Sequence, residues 1–113
     1  MITAVIIDDE RNSVEMMEWL LKTYCPEVNA LALCTDGEEG IKAIREHRPD
    51  VVFLDIEMPK MNGFDLLERF DELFFDVIFV TAYNKFAIKA FRYSALSYLL
   101  KPVDPDELME AVK

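Results

Sequence analysis

Three acidic side chains follow apolar runs in this sequence, and together they could bind a metal ion. Asp8 and Asp9 follow the run Ala4 to Ile7, and Asp55 follows the run Val51 to Leu54. Carboxylates about 4 Å apart repel each other by roughly 1–4 kcal/mol per pair, so a shared site requires positive charge. Oxygen donors without a nearby His or Cys select a hard cation, and Mg²⁺ fits best because it also takes phosphate oxygens. We therefore predict a Mg²⁺ site if the fold brings these acids together.

The elements that would position the acids follow from the hydrophobic pattern. Short apolar runs alternate with segments whose apolar residues recur every three or four positions, as in buried strands and amphipathic helices. Such alternation implies right-handed crossovers and a parallel α/β sheet covered on both faces. The predicted strands cover residues 3–8, 28–34, 51–54, 77–80 and 98–100. The predicted helices cover residues 10–24, a segment opened by Asp36 and Gly37, a segment carrying Phe64, Leu67 and Phe70, residues 84–92, and a last helix with Asp104, Pro105 and Glu107 in a capping box.

The ends of these strands collect the polar residues. Ligands of a parallel α/β sheet bind outside the carboxyl ends of its strands, where Asp8, Asp9 and Asp55 should converge. The fourth and fifth strands end in Thr81 and Lys101, a hydroxyl and an ammonium suited to a phosphoryl group. Taken alone, Thr81 could be an ordinary strand residue, Lys101 a solvated charge and Asp9 a helix cap. Because all of these residues fall at one edge of the predicted sheet, a shared binding site is the favoured interpretation.

Composition limits the class of protein. The 113 residues, 52% hydrophobic and 30% charged, suit one folded globular domain. No apolar run approaches the roughly 20 residues of a membrane span, and no basic secretion signal opens the chain, so we expect a cytoplasmic protein without membrane contact. The net charge of −10 argues against unaided DNA binding. We expect Cys25 and Cys34 to be buried reduced thiols and His47 to be an exposed helix end.

Several motifs together resemble one protein family. They are DDE at 8–10, DIEMP at 55–59 with NG at 62–63, TA at 81–82 and KP at 101–102. Over essentially the whole chain, residues 1–113, this resembles the receiver domain of two-component response regulators. The resemblance implies a doubly wound, flavodoxin-like (CheY-like) (βα)5 fold with strand order 2-1-3-4-5. The segment AFRYSALSYLLKPVD further resembles receivers of the LytTR subfamily, although Ser94 departs from the glycine of many receivers.

The resemblance implies a role for each acid. Asp55 would accept a phosphoryl group from the phosphohistidine of a sensor histidine kinase. Asp9, Asp55 and the backbone carbonyl of Glu57 would ligate Mg²⁺, and Asp8 would orient a water of the metal. The domain would act as a switch that controls transcription through a DNA-binding domain beyond the chain, and not as a turnover enzyme.

The resemblance also implies which residues contact the phosphoryl group and respond to it. Lys101 and Thr81 would hold its oxygens, assisted by the backbone amides of Glu57 and Ala82. Tyr98 would be the switch aromatic, turning inward when Thr81 moves toward the phosphate, although it could equally be an ordinary half-buried strand residue.

Two loop residues carry structural expectations. Gly63 is expected to supply a backbone conformation that other residues adopt only with strain. Pro102 fits the cis peptide that receivers of this type carry after the lysine.

The output surface is predicted to be the helix over residues 84–92, the fifth strand and the last helix. The first of these is basic and aromatic, and the last helix is acidic, so we expect phosphorylation to strengthen a two-fold dimer through this surface. The residues concerned are Lys85, Phe86, Ala87, Lys89, Ala90, Phe91 and Arg92 on one side and Asp106, Glu107 and Glu110 on the other.

Two other functions use similar residues. A Mg²⁺-dependent phosphohydrolase acting on small molecules would carry a second acid two residues after its nucleophile, the position that Glu57 occupies. Such enzymes usually add a cap domain, for which 113 residues leave no room, and steady phosphate release from a small ester would identify one. A phosphorylation-independent interaction module is disfavoured because no acidic or phosphate-contacting position of the motif is missing.

Overall fold

A computed structural model describes residues 1–83 and 97–112 of the chain. Five parallel strands form one sheet in the order β2-β1-β3-β4-β5. This confirms the predicted doubly wound α/β fold. The predicted helix over residues 84–92, with Ser94, lies outside the described residues. The elements are β1 (Ile2–Ile7), α1 (Arg11–Tyr24), β2 (Val28–Cys34), α2 (Gly37–His47), β3 (Val51–Leu54), α3 (Gly63–Leu67), β4 (Asp76–Thr81), β5 (Ser97–Leu100) and the C-terminal helix α4 (Pro105–Ala111).

Both faces of the sheet are covered by helices, which explains why its strands are continuously apolar. Successive strand residues point to opposite faces, so Val5 and Ile7 join a core with α2 and α3. Ala4 and Ile6 instead join a second core with α1 and α4. Burial of apolar side chains on both faces fixes the strand register, and with it the positions of the residues that follow each strand.

Asp36 and Asp104 cap the helices that they precede. The Asp36 carboxylate accepts a hydrogen bond from the Glu39 amide at 2.8 Å, and the Asp104 carboxylate accepts one from the Asp106 amide at 2.8 Å. The predicted capping box at α4 was wrong in its second half. Among the hydrogen bonds of the described residues, the Asp104 amide donates none to the Glu107 carboxylate, and the Asp104 carboxylate accepts from the Asp106 amide.

Helix α3 is shorter than the apolar spacing predicts, because it ends at Leu67 and leaves Phe70 outside. The amide of Phe70 donates to the Leu67 carbonyl, a tighter three-residue turn. The ring of Phe70 then packs edge-on against Phe75, with centroids 5.3 Å apart, and under the Arg45 guanidinium. Packing in this aromatic cluster replaces another helical turn.

The burial of the two cysteines and the exposure of the histidine can be compared with the predictions. Cys25 and Cys34 are free and buried, and burial raises the pKa of the Cys34 thiol to about 12. His47 is exposed at the end of α2. All three predictions are confirmed. Within the described residues, no helix is long and apolar enough to cross a bilayer.

Candidate functional site

Backbone hydrogen bonds place the polar residues at one edge of the sheet. The Asp8 amide donates to the Cys34 carbonyl at the end of β2, and the Asp55 amide donates to the Ile7 carbonyl at the end of β1. The Lys101 amide likewise donates to the Thr81 carbonyl. Asp8, Asp55 and Lys101 therefore directly follow the last residues of β1, β3 and β5. The predicted convergence at the carboxyl ends of the strands is confirmed.

The three acids form one cluster. Asp8, Asp9 and Asp55 each offer a carboxylate oxygen, and these atoms lie within 4.8 Å of one another. Asp8 and Asp55 are buried, each 5% exposed, whereas Asp9 is exposed. Glu10 occupies the N-cap of α1 without a side-chain cap bond, and its amide donates to Asp8. The cluster of three acids is therefore not a set of side-chain caps for α1.

Lys101 supplies positive charge to this cluster. Its Nζ lies 2.6 Å from Asp8 Oδ2 and 3.7 Å from Asp55 Oδ2. It also donates to the hydroxyl of Ser13, 3.3 Å away in the first turn of α1. Ser13 was not predicted as a site residue, because a serine in a helix carries no functional signal until the fold places it beside a distant lysine.

Burial and charge shift the ionisation of the site. Burial, followed by the neighbouring Asp8, raises the pKa of Asp55 to about 7, against the opposing effect of Lys101. The pKa of Asp9 is raised by burial and by Asp8. Burial alone would lower the pKa of Lys101, but Asp8 and Asp55 raise it overall. Lys101 therefore only partly offsets the cost of ionising Asp55 in this buried cluster.

The donor set fits Mg²⁺. Oxygens bound to Mg²⁺ at 2.0–2.1 Å lie at most about 4.2 Å apart, so small side-chain movements would bring the three carboxylates into range. Both oxygens of Asp8 are already engaged, by Lys101 and by the Glu10 amide. Direct ligation is therefore easier for Asp9 and Asp55 than for Asp8.

The remaining predicted residues surround the cluster. The Glu57 amide donates to Asp55 Oδ1 at 3.4 Å, and the Glu57 side chain is exposed. Thr81 is fully buried, and its hydroxyl oxygen accepts a hydrogen bond from the Tyr83 amide. Ala82 is exposed beside it. Thr81 and Ala82 therefore lie at the edge that holds the acids, while the Thr81 hydroxyl bonds its own loop.

Tyr98 is connected to this loop. Its half-buried ring packs on Phe79 with centroids 6.3 Å apart, and its hydroxyl donates to the Tyr83 carbonyl. Tyr83 therefore bonds Thr81 through its amide and Tyr98 through its carbonyl. This link was not foreseen from the sequence.

The loop after Asp55 is held by backbone contacts at Gly63. The Gly63 amide donates to the Ile56 carbonyl, and Asn62 and Asp65 form a reciprocal capping box at α3. The prediction of an unusual backbone conformation was wrong, since Gly63 has no positive φ. A Cβ there would lie 2.7 Å from the Asp55 carbonyl oxygen. Glycine is required by this close approach. The Lys101–Pro102 peptide is cis, as predicted.

Gly63→Ala is expected to destabilise the protein by about 1–3 kcal/mol, because backbone cannot move aside as a side chain can. Gly37→Ala is the matched control. Its Cβ would lie 2.5 Å from the thioether sulfur of Met61, a flexible side chain that can move away. Chemical denaturation measures both, and an equal or greater loss for Gly37→Ala would contradict the backbone explanation.

Comparison with known proteins identifies the family. Residues 4–113 match the response regulator receiver domain. The chain belongs to this family. Receivers bind Mg²⁺ at an acidic site, and this receiver carries a cluster of three aspartates, Asp8, Asp9 and Asp55.

The receiver is similar to part of longer proteins. A response regulatory protein of Vibrio parahaemolyticus is 46% identical over 114 residues, which cover 100% of the chain and 47% of the relative. The transcriptional regulatory protein BtsR of Escherichia coli is 38% identical over 96% of the chain and 45% of its own length. The chain spans about half the length of the curated relatives it matches.

Solved receiver structures have the same fold. A LuxR-family DNA-binding response regulator from Staphylococcus aureus superposes with a TM-score of 0.88 at 32% identity, covering 99% of this chain and 96% of that one. CheY from Borrelia burgdorferi, in a complex with CheX, BeF₃ and Mg²⁺, superposes with a TM-score of 0.85 at 26% identity. That comparison covers 98% of this chain and 86% of that one.

Proposed function

We propose that this receiver is a phosphorylation-activated switch in which Asp55 accepts the phosphoryl group from a sensor histidine kinase. The observation that carries the proposal is the position of Asp55. Its carboxylate is buried at the end of β3, 3.7 Å from the Lys101 ammonium and beside Asp8 and Asp9. The Borrelia CheY complex supports it, because that related receiver was solved with BeF₃ and Mg²⁺.

The chemistry begins at the Asp55 carboxylate. One of its oxygens attacks the phosphorus of the phosphohistidine, forming an O–P bond as the P–N bond breaks and the imidazole leaves. Only the ionised carboxylate attacks, and burial opposes ionisation by raising its pKa to about 7. Mg²⁺ would be held by Asp9, Asp55 and the Glu57 carbonyl, with Asp8 acting through water, and its charge would favour the ionised form and neutralise the phosphoryl oxygens.

Other groups of the chain hold the transferred group. Lys101 needs to move its ammonium by only about 1 Å to make a charge-assisted hydrogen bond of about 2.8 Å at Asp55. The Thr81 hydroxyl and the amides of Glu57 and Ala82 complete the set of donors. Phosphoryl transfer demands mainly positioning and charge neutralisation, and donors from three strand ends provide both.

A small phosphodonor tests this proposal directly. Acetyl phosphate with Mg²⁺ is expected to add one labile phosphoryl group to the intact protein, which mass spectrometry measures. Steady release of phosphate from a small phosphate ester would instead favour the phosphohydrolase alternative.

We propose that the structural effect of phosphorylation is transmitted from the site to β5 through the contacts among Thr81, Tyr83 and Tyr98. The Thr81 hydroxyl and the Tyr98 hydroxyl both bond the backbone of Tyr83. Movement of Thr81 toward phosphate would change the position of Tyr83, and with it the support of the Tyr98 ring. A local change of charge is thereby converted into a change of packing beside β5.

The output is proposed to be transcriptional. The chain spans about half of its relatives, which leaves room in them for a further domain, and two similar proteins are named as transcriptional or DNA-binding regulators. We propose that residues 1–113 form the receiver of a longer protein whose DNA-binding domain is of the LytTR type. The reason is that the segment AFRYSALSYLLKPVD, residues 90–104, resembles receivers of that subfamily. The sequence of the full-length gene product tests this assignment.

Phosphorylation is proposed to strengthen a two-fold dimer. The described part of the interface is β5, an edge strand on which Leu100 is exposed, and the acidic face of α4. Asp106, Glu107 and Glu110 are exposed on that helix. They would pair with the basic segment over residues 84–92, which lies outside the described residues.

Sedimentation with and without beryllofluoride is expected to show that the phosphoryl mimic shifts monomer to dimer. Reversing the charges of Lys89 and Arg92 should remove the shift, because the proposed contact becomes repulsive. The matched control reverses Lys42, which is exposed on α2 away from this surface. A monomer unchanged by the mimic, or a dimer insensitive to the Lys89 and Arg92 changes, would contradict the dimer while leaving the acceptor chemistry intact.

A further inference from the structure

We propose that Ser13 is a positioning residue for phosphoryl transfer, and that its hydroxyl holds the Lys101 ammonium in reach of Asp55. The inference rests on the proposed role of Asp55 as acceptor. It concerns a residue of α1 that belongs to none of the sequence motifs around the acids.

The geometry gives Lys101 three partners. Its Nζ lies 2.6 Å from Asp8 Oδ2, 3.3 Å from Ser13 Oγ and 3.7 Å from Asp55 Oδ2. An ammonium has three N–H donors and no acceptor. Ser13 is the neutral member of this set, so it restrains the ammonium without competing for its charge. Asp8 alone would fix one N–H and leave the head group free to rotate about that bond.

The surroundings of Lys101 make such a restraint useful. A cavity of about 340 Å³ lies between α1 and the segment after β5, and Asp8, Ser13 and Lys101 are part of its wall. Much of the remaining wall is apolar, including Met16 and Val103. The lysine side chain has a flexible four-carbon stem, and the cavity leaves this stem room to change conformation. A bond to the first turn of α1 removes many of those conformations before the phosphodonor arrives.

Positioning of this kind affects the rate because the site does little covalent chemistry of its own. An ammonium that is already ordered beside the acceptor loses less entropy when it binds the incoming phosphoryl oxygens. Without the Ser13 hydroxyl, Lys101 would visit the correct position for a smaller fraction of the time. The expected consequence is slower phosphorylation with an intact acceptor and an intact acid cluster.

The test compares labelling rates of variants with acetyl phosphate and Mg²⁺. Ser13→Ala is expected to be about threefold to tenfold slower than wild type, the effect of losing one hydrogen bond to a charged group. Ser13→Thr keeps the hydroxyl and should label within about twofold of wild type. Asn12→Ala, on the neighbouring residue of the same helix and cavity wall, is the matched control and should equal wild type. Thermal melts of all three confirm that each is folded.

A double variant separates positioning from a general effect on structure. If Ser13 acts through Lys101, adding Ser13→Ala to Lys101→Ala should cause no further slowing of the residual reaction. Labelling of Ser13→Ala at the wild-type rate, failure of Ser13→Thr to restore it, or additive losses in the double variant would overturn the role of Ser13 alone. A wild type that acetyl phosphate does not label at all would overturn the proposed function and this role with it.

Discussion

Asp55→Asn protein is expected to take up no phosphoryl group from acetyl phosphate under conditions that label the wild type. The amide that replaces the carboxylate is nearly the same size, so the buried position at the end of β3 stays filled. It carries no charge and offers no carboxylate oxygen to attack phosphorus. The loss should therefore be complete and should not reflect unfolding. Intact mass before and after incubation measures it.

The control for this substitution removes an acid that lies outside the site. Asp76 is exposed at the first residue of β4, the opposite end of the sheet from Asp55. Asp76→Asn should label as the wild type does. Equal labelling of wild type and Asp55→Asn would place the acceptor on another residue, and loss of labelling in both variants would indicate a general effect of the substitutions.

The free energy of unfolding in the absence of divalent cations is expected to fall between about pH 4 and pH 7. The pKa of Asp55 is raised to about 7 in the folded protein by burial and by Asp8, against about 3.9 in an unfolded chain. Between these values the folded state binds a proton that the unfolded state has lost, so stability decreases as pH rises. Allowing for partial solvent screening, the decrease should be about 2–3 kcal/mol.

Two variants and one ion isolate the source of this dependence. Asp55→Asn should flatten the profile and be more stable than wild type at pH 8, because the costly buried charge is gone. Mg²⁺ should stabilise the wild type at pH 8 by about 1.4 kcal/mol for each tenfold excess over its dissociation constant. Asp9→Asn should lose most of that gain. Denaturant titrations measure all three, and wild-type curves that coincide with and without millimolar Mg²⁺ would contradict the metal site.

The fold was predictable because its strands carry strong local signals. The predicted strand over residues 51–54 matches Val51–Leu54, and the predicted run over residues 77–80 lies inside Asp76–Thr81. Parallel strands buried on both faces must be continuously apolar, so their ends are visible in the sequence. The convergence of Asp8, Asp9 and Asp55 follows from those ends without any knowledge of side-chain contacts.

Contacts between distant residues were not predictable in the same way. Lys101 bonds Asp8 across 93 residues and Ser13 across 88 residues, and no local pattern marks such pairs. Asp50 is another case, because its carboxylate accepts hydrogen bonds from the amide and hydroxyl of Thr3, 47 residues away, and ties the starts of β1 and β3 together. Propensity describes neighbours along the chain, whereas these bonds depend on the completed sheet.

The errors have the same origin. Gly63 was expected to have an unusual φ, but the need for glycine comes from the Asp55 carbonyl, which a Cβ would meet at 2.7 Å. The apolar spacing up to Phe70 continues a helical pattern, but the Phe70 side chain packs against Phe75 and Arg45 outside the helix. The spacing of apolar residues indicates which side chains pack against the core. Only the packed structure shows to which helix or loop each of them belongs.

Chemical reduction of the phosphorylated protein is the most direct test of Asp55 as the acceptor, because it locates the phosphoryl group on a single residue. Borohydride converts an aspartyl phosphate to homoserine, and peptide mass spectrometry then identifies the modified position. The prediction is homoserine at residue 55 after treatment with acetyl phosphate and Mg²⁺, with Asp8 and Asp9 unchanged. Homoserine at another position, or none in a protein that carries a phosphoryl group, would contradict it.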